Sequence, residues 1–184
     1  MTDEQRERIL QALWPQGEKS PLSVWAILDC ARDPNIYLAL LESRLEFRCL
    51  YSGNLPRALE MVAPQLVELS PASRLTQRWL DKGWGQSWGV FMKIQDASNL
   101  RHHLRKFLKV QVENDRQLVF RYYDPRVLRV YLPTCTAGEW QQFLGPIAAY
   151  LMEGEDGSSL VGFTRDGQQL KHERRAWPAM GQPG

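Results

Sequence analysis

Short apolar runs alternate with helically spaced apolar positions along the first half of the chain. Residues 23–31 are continuously apolar and rich in strand formers, which is typical of a strand covered on both faces. Asp33 and Pro34 then supply an N-cap and a proline at the first helical position, and helical spacing continues to residue 43. The same pattern predicts further strands at 46–51 and 65–69 and further helices at 56–62 and 73–81. This strand–helix rhythm indicates an α/β protein.

The second half keeps this alternation. A strand is predicted at 87–94, and Ser98 precedes a helix over 99–108 whose apolar residues fall within one arc. The remaining elements are a hairpin of 109–113 and 117–123 with a turn at Asn114 and Asp115, helices from 125 and over 136–143, and strands at 147–152 and 158–164. We therefore expect a mixed sheet of about six to eight strands with helices packed on it.

The pattern also divides the chain into three parts. Residues 3–14 have helical spacing and are followed by prolines and a glycine, so residues 1–22 are predicted to be a helical N-terminal extension. Residues 23–164 form the single α/β domain. Residues 165–184 are polar and charged and end in Pro and Gly, which predicts a flexible C-terminal tail.

Composition changes this picture little. The 184 residues are 43% hydrophobic and 24% charged, and 23 basic against 21 acidic residues give a net charge of +2, short of the basic balance of a dedicated nucleic-acid binder. Cys30, Cys49 and Cys135 form no CxxC pair, which favours reduced thiols and a cytoplasmic location. No signal-peptide pattern or apolar run of membrane-spanning length is present, so no membrane partner is expected.

Motifs for catalysis or cofactor binding are weak. His102 and His103 are adjacent and point about 100° apart on a helix, so no metal site is predicted. The sequence has no GxSxG elbow and no P-loop lysine, although a catalytic triad assembled in three dimensions stays open. The glycines around Trp84 and Trp88 are interpreted as a tight turn that packs two rings. We assign no catalytic residue and no cofactor.

Basic residues near aromatic ones raise a second possibility. Arg101, Arg105, Lys106 and Lys109 lie close in sequence to Phe107, Tyr122 and Tyr123, which would combine phosphate contacts with base stacking. A solvated basic helix face is the favoured interpretation. Nucleic acid therefore stays an alternative partner.

The densest pattern is the junction at residues 120–128. As a strand, it would place Phe120 and Tyr122 on one face and Arg121 and Tyr123 on the other. Asp124 would cap a helix that begins with Pro125, and Arg121 or Arg126 would pair with Asp124. We interpret the junction as mainly structural, and the alternative is that Arg121 or Arg126 offers a guanidinium to a partner carboxylate.

The tail is a candidate partner-binding segment. Trp177 follows three basic residues, and an aromatic side chain there would be better used as an anchor than exposed to water. We predict contacts from Leu170, Arg174, Arg175 and Trp177. A frayed tail and docking by strand addition at a free sheet edge are the alternatives.

Six ordered motifs then resemble a known family. They are 25–29, 51–53 with 63–67, 84–89, 103–108, the junction 120–128, and 143–146. The sequence between residues 24 and 147 resembles the adaptor chaperones of bacterial type VI secretion, known as domain of unknown function 4123. The resemblance implies a cytoplasmic, non-enzymatic adaptor that binds a secreted effector and helps load it onto the valine-glycine-repeat spike. The alternative is an enzyme or small-molecule-binding domain with a pocket near Trp84, Trp88 and the junction.

Overall fold

Nine strands and seven α-helices make up the part of the chain that the computed structural model describes, residues 1–15, 21–112 and 116–177. The strands are β1 (Ser23–Asp29), β2 (Phe47–Cys49), β3 (Pro64–Leu69), β4 (Gly89–Ile94), β5 (Lys109–Val112), β6 (Arg116–Val119), β7 (Ile147–Glu153), β8 (Ser159–Asp166) and β9 (Gln169–Ala176). The helices are α1 (Asp3–Leu13), α2 (Pro34–Ser43), α3 (Arg57–Glu60), α4 (Arg74–Arg78), α5 (Leu100–Arg105), α6 (Pro125–Tyr131) and α7 (Ala137–Leu144).

Seven strands form the main sheet in the order β2-β3-β1-β4-β7-β8-β9, and β5 and β6 form a separate hairpin. The predicted α/β class is confirmed. Every described strand pair is antiparallel, whereas the strand–helix rhythm predicts a mixed sheet. The reason is that β3 lies between β1 and β2, so the two strands joined through α2 run in the same direction without pairing.

Apolar residues cover both faces of this sheet, as the continuous apolar run of β1 predicts. Ile27 joins the cluster that contains residues of α5, α6 and α7. Val24, Ala26 and Leu28 point to the other face and pack with residues of α1, α2 and α4. The sheet is therefore the middle layer of three, and α1 is part of the second core through the fully buried Ile9.

Side chains cap several helices, and the cap predicted at Asp33 is confirmed. The Asp33 carboxylate accepts from the N–H of Asn35 at 2.8 Å, and Thr136 forms a capping box with Glu139. The predicted Ser98 cap is wrong. Helix α5 begins one residue later, and the Ser98 N–H instead donates to Asp96 Oδ1 at 2.8 Å in a local turn.

The C-terminal segment is more ordered than the sequence indicates. Strand β8 extends to Asp166, and Gln169–Ala176 pair with it as β9, so the region before residue 178 belongs to the sheet. Residues 178–184 and the predicted turn at Asn114 and Asp115 lie outside the described residues. The tail predicted at 165–184 therefore starts too early, because a charged strand has no apolar alternation to reveal it.

Candidate protein-binding surface

The 120–124 junction is tied to the end of the central strand β1. Arg121 Nη2 donates to Oδ2 of Asp29, and Asp29 is only 1% exposed. Burial raises the pKa of the Asp29 carboxyl, although Arg121 opposes that shift. The two residues are 92 positions apart. The sequence predicts Asp124 as the partner of Arg121 or Arg126, and proximity along the chain offers no signal for Asp29.

Asp124 serves α6 in two ways. Its carboxylate accepts from the Arg126 N–H at 2.9 Å, as predicted for a cap, and pairs with the Arg126 guanidinium at 2.6 Å. Burial alone would raise the pKa of Asp124, but the hydrogen bonds and charge of Arg126 hold it below its ordinary value. Both junction guanidinia therefore already bind carboxylates of this chain.

The aromatic residues of the junction do not alternate between two faces. The chain turns where the Asp124 N–H donates to Arg121 O at 3.0 Å, and the exposed fractions of Tyr122 and Tyr123 are 0% and 1%. Phe120 packs against the same core, and Pro125 is buried. The predicted strand at this point is wrong, and the geometry fits the structural interpretation of the junction.

The turn with Trp84 and Trp88 is held by a buried carboxylate. Glu153, at the end of β7, accepts from the N–H groups of Gly85 and Ser87, both at 2.7 Å. Burial raises the pKa of Glu153, and these bonds oppose the shift. Trp88 lines a polar cavity of about 670 Å³, but neither Trp84 nor the junction lies among its lining residues. The two tryptophans and the junction therefore do not share that cavity.

The four predicted contact residues of the C-terminal segment do not form one surface. Because side chains alternate along β9, Leu170 and Arg174 lie on one face and Arg175 on the other. Arg174 Nε donates to Ser159 Oγ at 3.1 Å. Trp177 is only 8% exposed and packs in the hydrophobic cluster that includes Ile9 of α1. The prediction that its side chain is exposed as an anchor for a partner is therefore wrong. The two arginines stay exposed.

Helix α5 holds neighbouring segments through its basic side. Arg101 donates to the carbonyl oxygens of Cys49 and Tyr51 at 2.8–3.2 Å, which fixes the chain after β2 against α5. Tyr122 and Tyr123 are buried and unable to stack on bases. Tyr122 and Tyr123 therefore do not provide the base stacking that the nucleic-acid hypothesis requires of them.

A surface groove opens between the segment around α3 and the segment of α5 and the β5–β6 hairpin. Its volume is about 900 Å³, and its lining residues are Leu50, Tyr51, Ser52, Leu55, Leu59, His102, Arg105, Lys106, Leu108, Lys109 and Val119. We call it the α3–α5 groove. Sequence reasoning missed it because its walls come from separate stretches of the chain and none of them is distinctive alone.

The α3–α5 groove combines an apolar interior with basic edges. Leu50 and Leu108 are buried, whereas Leu59 is 43% and Val119 is 54% exposed. Four of the lining residues are histidine, arginine or lysine, and no aspartate or glutamate is among those described. This is the chemistry of a protein-binding surface, with apolar anchors surrounded by polar and charged groups.

A family model described as "Domain of unknown function (DUF4123)" matches residues 24–142. The chain belongs to this family. The resemblance seen in the sequence is confirmed at that level. Comparisons with curated proteins and with solved structures found no match.

The DUF4123 segment contains both features described above. It includes every lining residue of the α3–α5 groove and the Asp29–Arg121 and Asp124–Arg126 pairs. Strands β7, β8 and β9 follow it, and α1 precedes it. The groove is thus a feature of the family's own segment.

Three further observations complete the description of this DUF4123 chain. Cys30, Cys49 and Cys135 are free, and burial raises the pKa of the Cys30 thiol to about 12. Within residues 1–15, 21–112 and 116–177, no three His, Cys, Asp or Glu side chains are grouped to hold a metal ion. None of the described helices is both long enough and apolar enough to cross a membrane.

Proposed function

We propose that this DUF4123 protein is an adaptor chaperone that binds a secreted effector and helps load it onto the type VI secretion spike. The observation that carries the proposal is the α3–α5 groove, an exposed apolar surface within the segment that defines the family. A concave surface with an apolar interior and a few polar groups at its edge is the usual form of a site that binds another molecule. The resemblance of the ordered motifs supplies the class of partner.

The surroundings of the groove are suited to holding a partner. Arg101 fixes one wall to the other through the Cys49 and Tyr51 carbonyls. The Asp29–Arg121 pair anchors the segment that follows the β5–β6 hairpin. A surface held in place before binding loses less conformational entropy when a partner docks. The buried motif residues thus maintain the scaffold, and the groove is left for recognition.

We place this activity in the cytoplasm, before the effector leaves the cell. Three free thiols agree with a reducing compartment, because oxidising compartments favour disulfides. In this proposal the adaptor delivers its client to the spike and is not itself secreted.

Affinity purification from the native cytosol tests the proposal. The tagged protein and the variants Leu59→Asp and Val130→Asp are purified under conditions in which the secretion genes are expressed, and co-purifying proteins are identified by mass spectrometry. Val130 is the matched control, since it is 69% exposed and does not line the groove. We expect an effector or a spike protein in stoichiometric amount with the wild type and with Val130→Asp, and a strong reduction with Leu59→Asp.

Deletion of the gene supplies a second readout. Without its adaptor, the client should be unstable or poorly loaded, so its cellular level or its secretion should fall. Recovery of neither an effector nor a spike protein, together with unchanged client levels after deletion, would contradict the adaptor function.

A further inference from the structure

We infer that the α3–α5 groove binds an acidic amphipathic helix of the partner. This inference rests on the proposed function, which makes the partner a protein, and adds the chemistry of the segment that docks.

The interior of the groove favours a row of apolar side chains. Its volume of about 900 Å³ lies at the upper end of the range that drug-sized ligands fill, and it is lined by leucine, valine and one tyrosine as well as basic residues. Leu59 and Val119 are about half exposed on opposite sides, so several neighbouring anchors are needed to cover both. A helix supplies such a row at positions i, i+3, i+4 and i+7.

The hairpin places charge directly beside an apolar contact. Lys109 and Val119 are cross-strand partners and therefore share one face of the β5–β6 hairpin. Both line the groove. A ligand that covers Val119 consequently brings its flanking groups next to the Lys109 ammonium.

The basic residues of the groove differ from those of the junction. Arg121 and Arg126 pair with buried carboxylates, and Arg101 binds carbonyl oxygens. Arg105, Lys106 and Lys109 form no ion pair with any residue in the described ranges. Three cations that have no counter-ion among the described residues, placed around an apolar interior, match a helix that is apolar on one side and carries Asp or Glu beside it.

A peptide fits this site better than a nucleic acid does. Binding of single strands uses aromatic rings on which successive bases stack. Phe107 packs against Phe143, and the Tyr51 side chain lies next to that of the buried Tyr123. The remaining interior is aliphatic, and leucine and valine contacts reward apolar side chains rather than bases.

Labelled peptides test the inference directly. The first probe is a fluorescein-labelled helix of about 18 residues, five turns long, with leucine on one face and glutamate elsewhere. The second has lysine in place of every glutamate, and the third has the composition of the first in scrambled order. Binding to the full chain is followed by fluorescence anisotropy at low and high salt. We expect the first peptide to bind at least about tenfold more tightly than either control. The difference in affinity between the glutamate and lysine peptides should decrease at high salt, because salt screens the charges.

Variants locate the binding site. Leu59→Asp and Val119→Asp should each weaken binding of the acidic peptide about tenfold, because a charge enters the apolar interior. The double variant Lys106→Glu, Lys109→Glu should shift the preference toward the lysine peptide. Val130→Asp should bind as the wild type does, and circular dichroism verifies that each variant is folded.

Several outcomes would overturn the inference. They are equal binding of the three peptides, equal weakening by Val130→Asp and Val119→Asp, or tighter binding of a single-stranded oligonucleotide than of the acidic peptide. Because these probes contain no effector, the result is separate from the purification. A failed peptide assay with a recovered effector would reject this docking mode alone. Peptide binding, combined with no recovered effector or spike protein and with unchanged client levels after deletion, would reject the adaptor function alone.

Discussion

Asp29 and Asp124 are both buried, and their charges depend to different degrees on the arginines that pair with them. Asp124 keeps the N–H of Arg126 as a hydrogen-bond donor even without the guanidinium, and its pKa lies below the ordinary value. Asp29 is as deeply buried, and burial outweighs the help of Arg121, so its pKa lies above the ordinary value. The Asp29 charge is therefore the less well compensated one.

Removal of Arg121 should consequently cost more stability than removal of Arg126. We expect Arg121→Ala to lower the free energy of unfolding by about 2 kcal/mol, less than for a fully buried pair because the Arg121 side chain is 42% exposed. Arg126→Ala should cost about 1 kcal/mol. Urea unfolding followed by tryptophan fluorescence measures both losses, and equal losses would contradict this ranking.

The pH dependence of the unfolding free energy lost in Arg121→Ala tests whether the Asp29 charge causes that loss. A raised folded pKa means that the contribution of Asp29 to stability is fully present below its ordinary value of 3.8 and is lost as the pH rises through the folded value. Loss of Arg121 should raise that folded pKa further. The difference in free energy of unfolding between the wild type and the variant should therefore be small below pH 3.8 and should grow as the pH rises. A deficit that does not change with pH would point to lost packing instead.

Glycines decide the shape of individual elements where large rings approach the backbone. A Cβ on Gly83 would lie 2.3 Å from the Trp88 ring, and the single π-helical turn Trp79–Gly83 ends at this glycine. Gly138, in the first turn of α7, has no atom within 4 Å of such a Cβ. The interpretation of the glycines around Trp88 as a tight turn under a ring is thus confirmed at Gly83.

The two glycines should respond in opposite directions to the same substitution. Gly83→Ala should lower the free energy of unfolding by about 2 kcal/mol, because the added methyl overpacks the contact with Trp88. Gly138→Ala should raise it by about 0.5–1 kcal/mol, because alanine is the better helix former. Thermal unfolding of the two variants beside the wild type measures both shifts. Equal shifts would mean that the contact between Gly83 and Trp88 is not tight in solution.

Elements whose signals are local could be predicted from the sequence, and elements that depend on distant partners could not. The caps at Asp33, Asp124 and Thr136 act within a few residues and were predictable. Strand β9 is charged at half of its positions and is ordered by its pairing with β8. The α3–α5 groove likewise exists only after α3, α5 and the hairpin have met. Burial against a remote segment leaves no trace in a short window of sequence.

Strands beyond the DUF4123 segment complete the core of the whole molecule. Tyr150 of β7 and Phe163 of β8 are fully buried in the cluster that contains the junction. Leu151 and Leu160 join the opposite cluster, where Trp177 also packs. The C-terminal strands therefore contribute to the hydrophobic clusters on both faces of the sheet, and the DUF4123 segment shares these clusters with them.

Truncation after Gly167 should for this reason destabilise the whole domain. The cut removes β9, exposes the edge of β8 and deletes Trp177, and loss of a buried tryptophan side chain alone costs about 3–5 kcal/mol. We expect a lower thermal midpoint by circular dichroism. The single substitution Trp177→Ala should lower the midpoint in the same direction and covers the case in which the truncated chain is insoluble. Unchanged midpoints for both would contradict the role of the C-terminal strand.

Strand β9 also bears on colloidal behaviour. In the described part of the chain it pairs with β8 alone and ends the sheet, and outer strands of this kind can recruit further chains into growing fibrils. Lys171, Glu173, Arg174 and Arg175 occupy half of its eight positions. Their charges act as gatekeepers, because a stacked copy would have to desolvate them and bring like charges together. The strand that ends the sheet thereby also limits polymerisation.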